Sequence, residues 1–387
     1  MKRVVIVGAS LAGVRTASAL RREGFSGEIT VIGDEPHLPY DRPPMSKQVL
    51  QGKWGIEKTG LLSTEQLTEL GAEWILGDAA QQLDVSSRTI RTKSGREVEG
   101  TYVVIATGAR ARRLPFSADN EIFTMRTLDD AQQLAATCDS LPQRATVAVI
   151  GGGFIGAEVA TALHARELRP IVLEAQARPL QGVVGEEVAT WLEGLPGAAG
   201  IELRVNQSVL DVARTPSGFQ VILADGSMEA DAVVAGVGAV PNCEWLESSG
   251  VAIQRGLVVD EYLLAAPGIY GAGDVAVFPF TSAGETEHVR IEHWQIANDH
   301  ASYIARSILT DESQPFTTVP YFWSDQYGKK IQMLGHPRPS DEVTIVSGSP
   351  DDGKWLAHYR RHGVVTGVVA LNNARELMLS RPLLETV

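Results

Sequence analysis

Val147-Ala148-Val149-Ile150-Gly151-Gly152-Gly153-Phe154-Ile155-Gly156 decides the fold. Four apolar residues read as a strand of the buried, parallel type. Glycines follow in the G-x-G-x-x-G pattern, and a helix is expected from Phe154 to Glu167. A loop of this kind lets the backbone approach a pyrophosphate and turns the free N–H groups of a helix start toward the anion. Outward from it, Pro170 to Glu174 reads as the next strand. Glu174 closes that strand, where a carboxylate accepts ribose hydroxyls. An acid there favours a free 2′-hydroxyl and repels a 2′-phosphate, so NADH is expected over NADPH. Arg178 follows closely and leaves pairing with a 2′-phosphate open.

An earlier copy of the unit opens the chain. Val4 to Val7 is its strand, Gly8-Ala9-Ser10-Leu11-Ala12-Gly13 its loop, Ala12 to Glu23 its helix, stopped by Gly24, and Glu28 to Ile32 its second strand. Asp34 and Glu35 stand where the ribose acid belongs. Ser10 replaces the second glycine, so this loop is weak by itself and gains weight from its context. Two such units far apart suggest two doubly wound domains rather than tandem repeats. Tyr102 to Gly108, Ala232 to Gly238 and Ile269 to Asp274 are further strands ending in glycine turns, the places where open α/β sheets hold ligands. A helix is expected from Trp294 to Leu309. After Pro315 the texture changes to short strands over Phe316–Tyr327, Gln332–Gly335, Val343–Val346, Trp355–Arg361 and Val364–Leu371, with a closing helix over Arg375–Leu379.

The 387 residues ask for more than one core. No signal peptide and no membrane span is expected. The formal net charge of −13 disfavours nucleic acid and anionic membranes. Cys138 and Cys243 are the only cysteines, and neither belongs to a C-x-x-C, so a disulfide framework, a zinc site or a dithiol centre is not expected. No metal is expected either. His358 and His362 are spaced like helical ligands but fall in a strand and turn. Lys329-Lys330 and Arg360-Arg361 read as solvated pairs, with docking of an acidic partner as the sharper alternative. A cytoplasmic location fits.

Leu38-Pro39-Tyr40-Asp41-Arg42-Pro43-Pro44-Met45-Ser46-Lys47 follows the first acidic pair. Its prolines stiffen an extended path, and Arg42 and Lys47 offer cationic donors. By composition it is equally a rigid surface loop. With this run, the sequence resembles the FAD-dependent, NADH-dependent ferredoxin reductases of bacterial ring-hydroxylating dioxygenase and cytochrome P450 systems. The matching residues are the GASLAG loop, Gly33-Asp34-Glu35, the Pro-Tyr-Asp-Arg-Pro-Pro-Met-Ser-Lys run, Ala106-Thr107-Gly108, GGGFIG, Gly238-Ala239-Val240-Pro241-Asn242, Gly271-Ala272-Gly273-Asp274, Glu292-His293-Trp294 and Phe322-Trp323-Ser324-Asp325-Gln326. They extend from residue 4 to about 335 in the family's order; the last fifty residues or so match loosely.

The resemblance implies a glutathione-reductase-like α/β fold. It would have an FAD domain over 1–112 and 245–318, an NADH domain over 113–244, both Rossmann-like, and a small α+β C-terminal domain over 319–387. It implies that Gly8, Ser10, Leu11, Ala12, Gly13 and Asp34 or Glu35 hold the adenosine and pyrophosphate side of FAD. Ala79 would touch the adenine through its backbone. Arg42, Lys47 and Arg112 would meet phosphate, ribityl or flavin oxygens. Gly273 and Asp274 would hold the ribityl chain, and His293, Trp294 and Trp323 would surround the flavin. Thr107, Gly108, Gly238 and Glu292 belong to the same cofactor set. Gly151, Gly153, Phe154, Ile155, Gly156 and Glu174 would hold NADH. Lys47 and Glu158 would pair beside the flavin N5 as the catalytic residues. Without the resemblance, Glu158 is equally an acid near a helix start, stabilised by the dipole, and Trp323 a core tryptophan. A helix start near His293 would also place positive potential at the flavin pyrimidine.

Met45-Ser46 occupies the region where related enzymes carry a redox thiol, so the expected outlet is direct electron transfer to something docked at the flavin edge, which the resemblance implies is a [2Fe–2S] ferredoxin. An NADH oxidase, a rubredoxin reductase and a flavin-bound sensor like apoptosis-inducing factor stay open as alternatives, and the protein is expected as a monomer or homodimer.

Overall fold

The computed structural model describes residues 2–310 and 314–385. The chain divides into two compact units. One comprises Met1–Asp41, Gly60–Arg110 and Val240–Phe322; the other comprises Arg42–Thr59, Ala111–Ala239 and Trp323–Val387.

The first unit is built on a six-stranded sheet in the order Leu264–Ala266, Ile269–Gly271, Tyr102–Ile105, Arg3–Val7, Glu28–Gly33, Glu73–Leu76. The last five run parallel, and the short edge strand is antiparallel to its neighbour. The unbroken apolar runs of the sequence are the centre of this sheet: Val4, Val5, Ile6, Val103, Val104 and Ile105 have no exposed surface. A strand covered on both faces has no polar side to alternate with. The helices Leu11–Arg22 and Trp294–Leu309 pack on one another. Beyond the first, Arg21 spans the turn and donates to the carbonyls of Phe25, Gly27 and Leu70 at 2.7–2.8 Å.

The second unit holds a four-stranded parallel sheet in the order Glu202–Arg204, Arg169–Leu173, Thr146–Ile150, Ala232–Ala235. Beside it lies the antiparallel meander Val209–Thr215, Gly218–Leu223, Gly226–Ala230. A five-stranded sheet follows in the order Tyr321–Gln326, Lys329–Gly335, Val364–Leu371, Lys354–Arg361, Glu342–Ser349, with the short helices Ala374–Leu379 and Pro382–Glu385 after it. The strand expected from Phe316 begins only at Tyr321, directly after Pro320, which has no N–H to give a ladder. His358 is buried within a strand and His362 sits in the next turn at φ +53°, so the two share no helix face.

Two local departures follow from backbone geometry. The proline-rich run does not stay extended: Met45–Val49 is a wide π-type turn, with Val49 N–H to Pro44 O at 3.0 Å and Leu50 N–H to Met45 O at 3.1 Å. Such turns are rare and concentrate at functional sites. The helix Gln181–Leu192 breaks at Gly185, which has φ +79°. A Cβ there would stand 2.6 Å from the Pro339 carbonyl oxygen, so only glycine fits. The Tyr359 hydroxyl donates to the Val184 carbonyl at 2.6 Å, and Trp191 lies edge-on to the buried Trp355 at 5.3 Å between centroids. These contacts seat the C-terminal sheet on the kinked helix.

Asp341 anchors the same sheet. It accepts from Arg361 Nε at 2.9 Å, Thr366 Oγ1 at 2.7 Å and the Arg338 N–H at 2.9 Å. Burial pushes its carboxyl upward, but these donors outweigh burial and hold it below the ordinary value of 3.8. A depressed folded-state pKa contributes stability that is complete well above the unfolded value and is lost as pH falls below it. Asp341→Asn is therefore expected to lower stability at pH 7 by about 3 kcal/mol, as for a buried pair losing one partner. The gap to the unaltered protein should narrow in denaturant titrations as pH falls below 3.8. A gap that stays constant with pH would contradict the charge-based account.

Candidate functional site

In the first unit the glycine loop is shaped by close backbone approach. Gly8 has φ +123°, and a Cβ on it would lie 2.0 Å from the Ala106 carbonyl oxygen. A Cβ on Gly13 would lie 1.8 Å from the Gly8 carbonyl oxygen. Ser10 stands at the start of Leu11–Arg22 and makes no side-chain cap, so the N–H groups around Leu11, Ala12 and Gly13 are not closed by their own sequence. Those donors and the positive helix end suit a pyrophosphate.

The acids after Glu28–Gly33 differ from each other. Asp34 is exposed, whereas Glu35 is half-buried and accepts from the Tyr40 hydroxyl. The N–H groups of Gly77 and Asp78 bond the carbonyls of Glu35 and Gly33, which brings Ala79 alongside the acidic pair. Thr107 and Gly108 form the turn beyond the Tyr102–Ile105 strand. Asn242 clamps that turn: its N–H bonds Gly108 O at 2.9 Å, its amide donates to Thr107 O at 2.9 Å, and its carbonyl accepts from Thr107 Oγ1 at 2.7 Å. Sequence reading quoted Asn242 only as part of a motif; hydrogen bonds across 135 positions leave no local signal.

Gly273, at φ +69°, places its turn against the start of the first helix, 3.0 Å from Ala12 Cβ to a Cβ built on the glycine. The Asp274 carbonyl accepts from Arg290, which also pairs with Glu292. His293 begins the helix Trp294–Leu309, and its ring lies 5.0 Å from that of Phe322. Trp294 Nε1 donates to Asp41 at 2.9 Å, and the Arg15 guanidinium lies 5.9 Å from the Trp294 ring centroid. The first unit thus gathers the glycine loop, Asp34, Glu35, Ala79, Thr107, Gly108, Gly273, Asp274, Glu292, His293 and Trp294.

The second unit contains the complete loop. Gly151 has φ +98°, and a Cβ on Gly156 would lie 2.0 Å from the Gly151 carbonyl oxygen. Gly153 starts the helix Phe154–Ala165 without a side-chain cap, and Ile155 is exposed beside it. Glu174 folds back over the loop. It accepts from the Gly152 N–H at 2.7 Å and the Gln176 N–H at 2.8 Å. Arg178 is engaged elsewhere, with Glu193 at 2.8 Å and Glu186 at 3.3 Å. The Arg112 N–H bonds Gly238 O at 2.9 Å, and Arg42 donates to the Arg126 carbonyl. Arg361 is spent on Asp341, and Lys330 lies 3.4 Å from Asp325.

The most concentrated chemistry in this unit surrounds Glu158, which is 4% exposed. Its Oε2 accepts from Lys47 Nζ at 2.7 Å and Ser46 Oγ at 2.6 Å, and its Oε1 accepts from Ser324 Oγ at 2.6 Å. Lys47 Nζ also reaches the Pro43 carbonyl at 3.3 Å. The π-type turn delivers Ser46 and Lys47 together, and the strand Tyr321–Gln326 delivers Ser324 beside the half-buried Trp323. Both serines escaped sequence reading because their partner is 112 and 166 positions away.

An ammonium this poorly hydrated needs its carboxylate. Glu158→Leu is expected to destabilise the protein by about 3–5 kcal/mol by stranding Lys47. The double substitution K47M/E158L should recover most of that loss in thermal or denaturant unfolding. If the double variant is as unstable as the single one, the penalty comes from packing rather than from the stranded charge.

Residues 2–301 match the family model described as pyridine nucleotide-disulphide oxidoreductase, and residues 321–387 match the one described as reductase C-terminal. Rhodocoxin reductase of Rhodococcus erythropolis is 33% identical, covering 99% of this chain and 89% of the relative. The benzene 1,2-dioxygenase system ferredoxin–NAD(+) reductase subunit of Pseudomonas putida is 34% identical, covering 99% and 92%. The crystal structure of the covalent putidaredoxin reductase–putidaredoxin complex matches with a TM-score of 0.92 at 30% identity, covering 99% of this chain and 93% of that one. With its two glycine cradles and its C-terminal sheet, the chain belongs to the pyridine nucleotide-disulphide oxidoreductase family and is an oxidoreductase of the ferredoxin reductase kind.

Proposed function

We propose that this chain is a flavoprotein that moves electrons from NADH to a [2Fe–2S] ferredoxin serving an oxygenase. The observation that carries the reading is the pair of glycine cradles, each followed by its own acid, in a chain of which 99% aligns with a ferredoxin–NAD(+) reductase subunit. The first cradle would take FAD and the second NADH, within an FAD domain of 1–112 and 245–318, an NADH domain of 113–244 and a C-terminal domain of 319–387. When bound, FAD accepts a hydride and yields its electrons singly.

The chain's own residues supply position and charge. The helix starts at Leu11 and Phe154 offer N–H donors to the two pyrophosphates. Gly273 and Asp274 present the turn that meets the ribityl chain. Glu174 reads the nicotinamide cofactor's ribose and repels a 2′-phosphate, while Glu186 and Glu193 keep Arg178 from answering that phosphate. Lys47 and Glu158 are the proposed catalytic pair, and Ser46 and Ser324 hold the carboxylate in one orientation. Cys138 and Cys243 are buried free thiols, and burial raises Cys138 to about 11, far from the reactive thiolate range. Electrons would therefore leave to a docked protein. Among the described residues no helix is long and apolar enough to cross a membrane. We place the protein in the cytoplasm, as a monomer or homodimer.

Purified protein should be yellow, and anaerobic NADH should bleach it much faster than NADPH. Cytochrome c reduction by NADH should depend on added [2Fe–2S] ferredoxin. Consumption of NADH by oxygen alone, indifferent to ferredoxin, would point instead to an oxidase. Glu174→Ala should shrink the preference for NADH about tenfold or more, the scale of a lost hydrogen bond to a charged group. An unchanged ratio of kcat/KM values would remove Glu174 from ribose recognition.

A further inference from the structure

His300 lies on the helix Trp294–Leu309 and has no exposed surface. Its Nδ1 accepts the Gly273 N–H at 3.1 Å, a bond between residues 27 positions apart. Accepting that bond leaves Nδ1 unprotonated, so the ring hydrogen of the neutral side chain sits on Nε2. Nε2 is buried and meets no hydrogen-bond partner. Phe278 and Phe316 close on the ring edge-on, with centroids 4.9 and 4.7 Å away. An unpaired buried donor is destabilising, and an apolar side chain in this aromatic pocket would avoid it. What the imidazole adds in return is the lone pair on its other nitrogen.

That lone pair is spent on a demanding piece of backbone. Gly273 lies in the left-handed region, against the start of the first glycine-loop helix, and its peptide leads directly into Asp274. On the far side of the turn, Arg290 holds the Asp274 carbonyl at 3.2 Å. The turn is therefore gripped by its N–H and by its carbonyl, and the N–H grip comes from His300. Burial lowers the imidazole pKa to about 3, which keeps the lone pair available throughout the neutral range.

We propose that His300 is a positioning residue for the flavin cofactor: through Gly273 it sets the direction in which Asp274 is presented to the ribityl chain. The inference rests on the proposed assignment of the Gly273-Asp274 turn to FAD. It goes beyond that assignment by giving the turn's geometry to a side chain that touches no cofactor.

His300→Asn keeps an acceptor on the same carbon that carries Nδ1, but it fills less of the aromatic pocket. His300→Leu fills more of the pocket and has no acceptor. Flavin release from each purified holoenzyme is followed as the rise of free FAD fluorescence on dilution, and thermal midpoints are taken with saturating FAD. The order should cross. Release from H300L should be about five- to tenfold faster than from the unaltered protein and H300N should stay within about threefold, the range set by one net hydrogen bond. The thermal midpoint should fall further for H300N, whose cavity is larger. If release follows the thermal midpoints, or if neither variant alters it, His300 is a packing residue and the inference is wrong. Should H300L purify without flavin, H300N decides, since its retention of flavin supports the inference and its loss overturns it. Asp274→Asn separates the two levels: normal release from D274N would refute the FAD assignment of the turn, whereas fast release from D274N with normal release from H300L would refute only the role of His300.

Discussion

A carboxylate taken out of water must be met by donors or protonated, and Glu158 is met by three donors from two separate parts of the chain. This requirement organises the second unit. It explains why Arg42–Thr59 clusters with Ala111–Ala239 although both flanking segments belong to the first unit. It also explains the π-type turn at Met45–Val49. A regular helix would spread Ser46 and Lys47 to different directions, whereas the widened turn lets both reach one oxygen of the same carboxylate. Ser324 then occupies the other oxygen, so rotation of the carboxylate breaks at least one bond.

The two cradles rest on a simpler constraint. A backbone that must pass within van der Waals contact of another backbone has no room for a side chain, and Gly8, Gly13, Gly151 and Gly156 all sit at such crossings. The crossings hold each helix start open toward the ligand side of its sheet. Ser10, in place of the second glycine of the first loop, stands at the helix start and adds a side chain without entering the cap. Glu174 bonds the N–H of Gly152 directly, so the second loop and the acid after the next strand form one connected element.

Much of the fold was legible because its signals are local. The apolar runs Val4–Val7, Val147–Ile150 and Tyr102–Ile105 declare strands covered on both faces, and the helix Trp294–Leu309 ends at the residues expected from periodicity. The tail's strands were legible as short β-rich runs, though the first begins only at Tyr321, where Pro320 delays pairing, and Lys329–Gly335 and Glu342–Ser349 are longer than expected. The proximity of Lys47 to Glu158 came from family resemblance and not from spacing. The partners that complete the sites were not legible at all. Ser46, Ser324, Asn242 and His300 act across long separations, and single polar residues carry no periodicity. Arg178 shows the converse: its position near Glu174 suggested a phosphate partner, but Glu186 on the following helix and Glu193 at that helix's C-terminal cap pair with it.

The kink at Gly185 also gives the molecule an internal optical reporter. Trp355 is fully buried in the C-terminal sheet, and Trp191 stands edge-on to it from the kinked helix, while the chain has seven tryptophans in all. Two indoles held at 5.3 Å and a fixed angle couple in the near-ultraviolet in a way that isolated indoles do not. The coupling vanishes as soon as the helix and sheet part, whatever becomes of the rest of the chain. The part of the near-ultraviolet circular dichroism that Trp191→Phe removes therefore reports on this one seam, and comparing its loss with that of the remaining signal distinguishes a C-terminal sheet that parts from its helix from a molecule that melts as a whole.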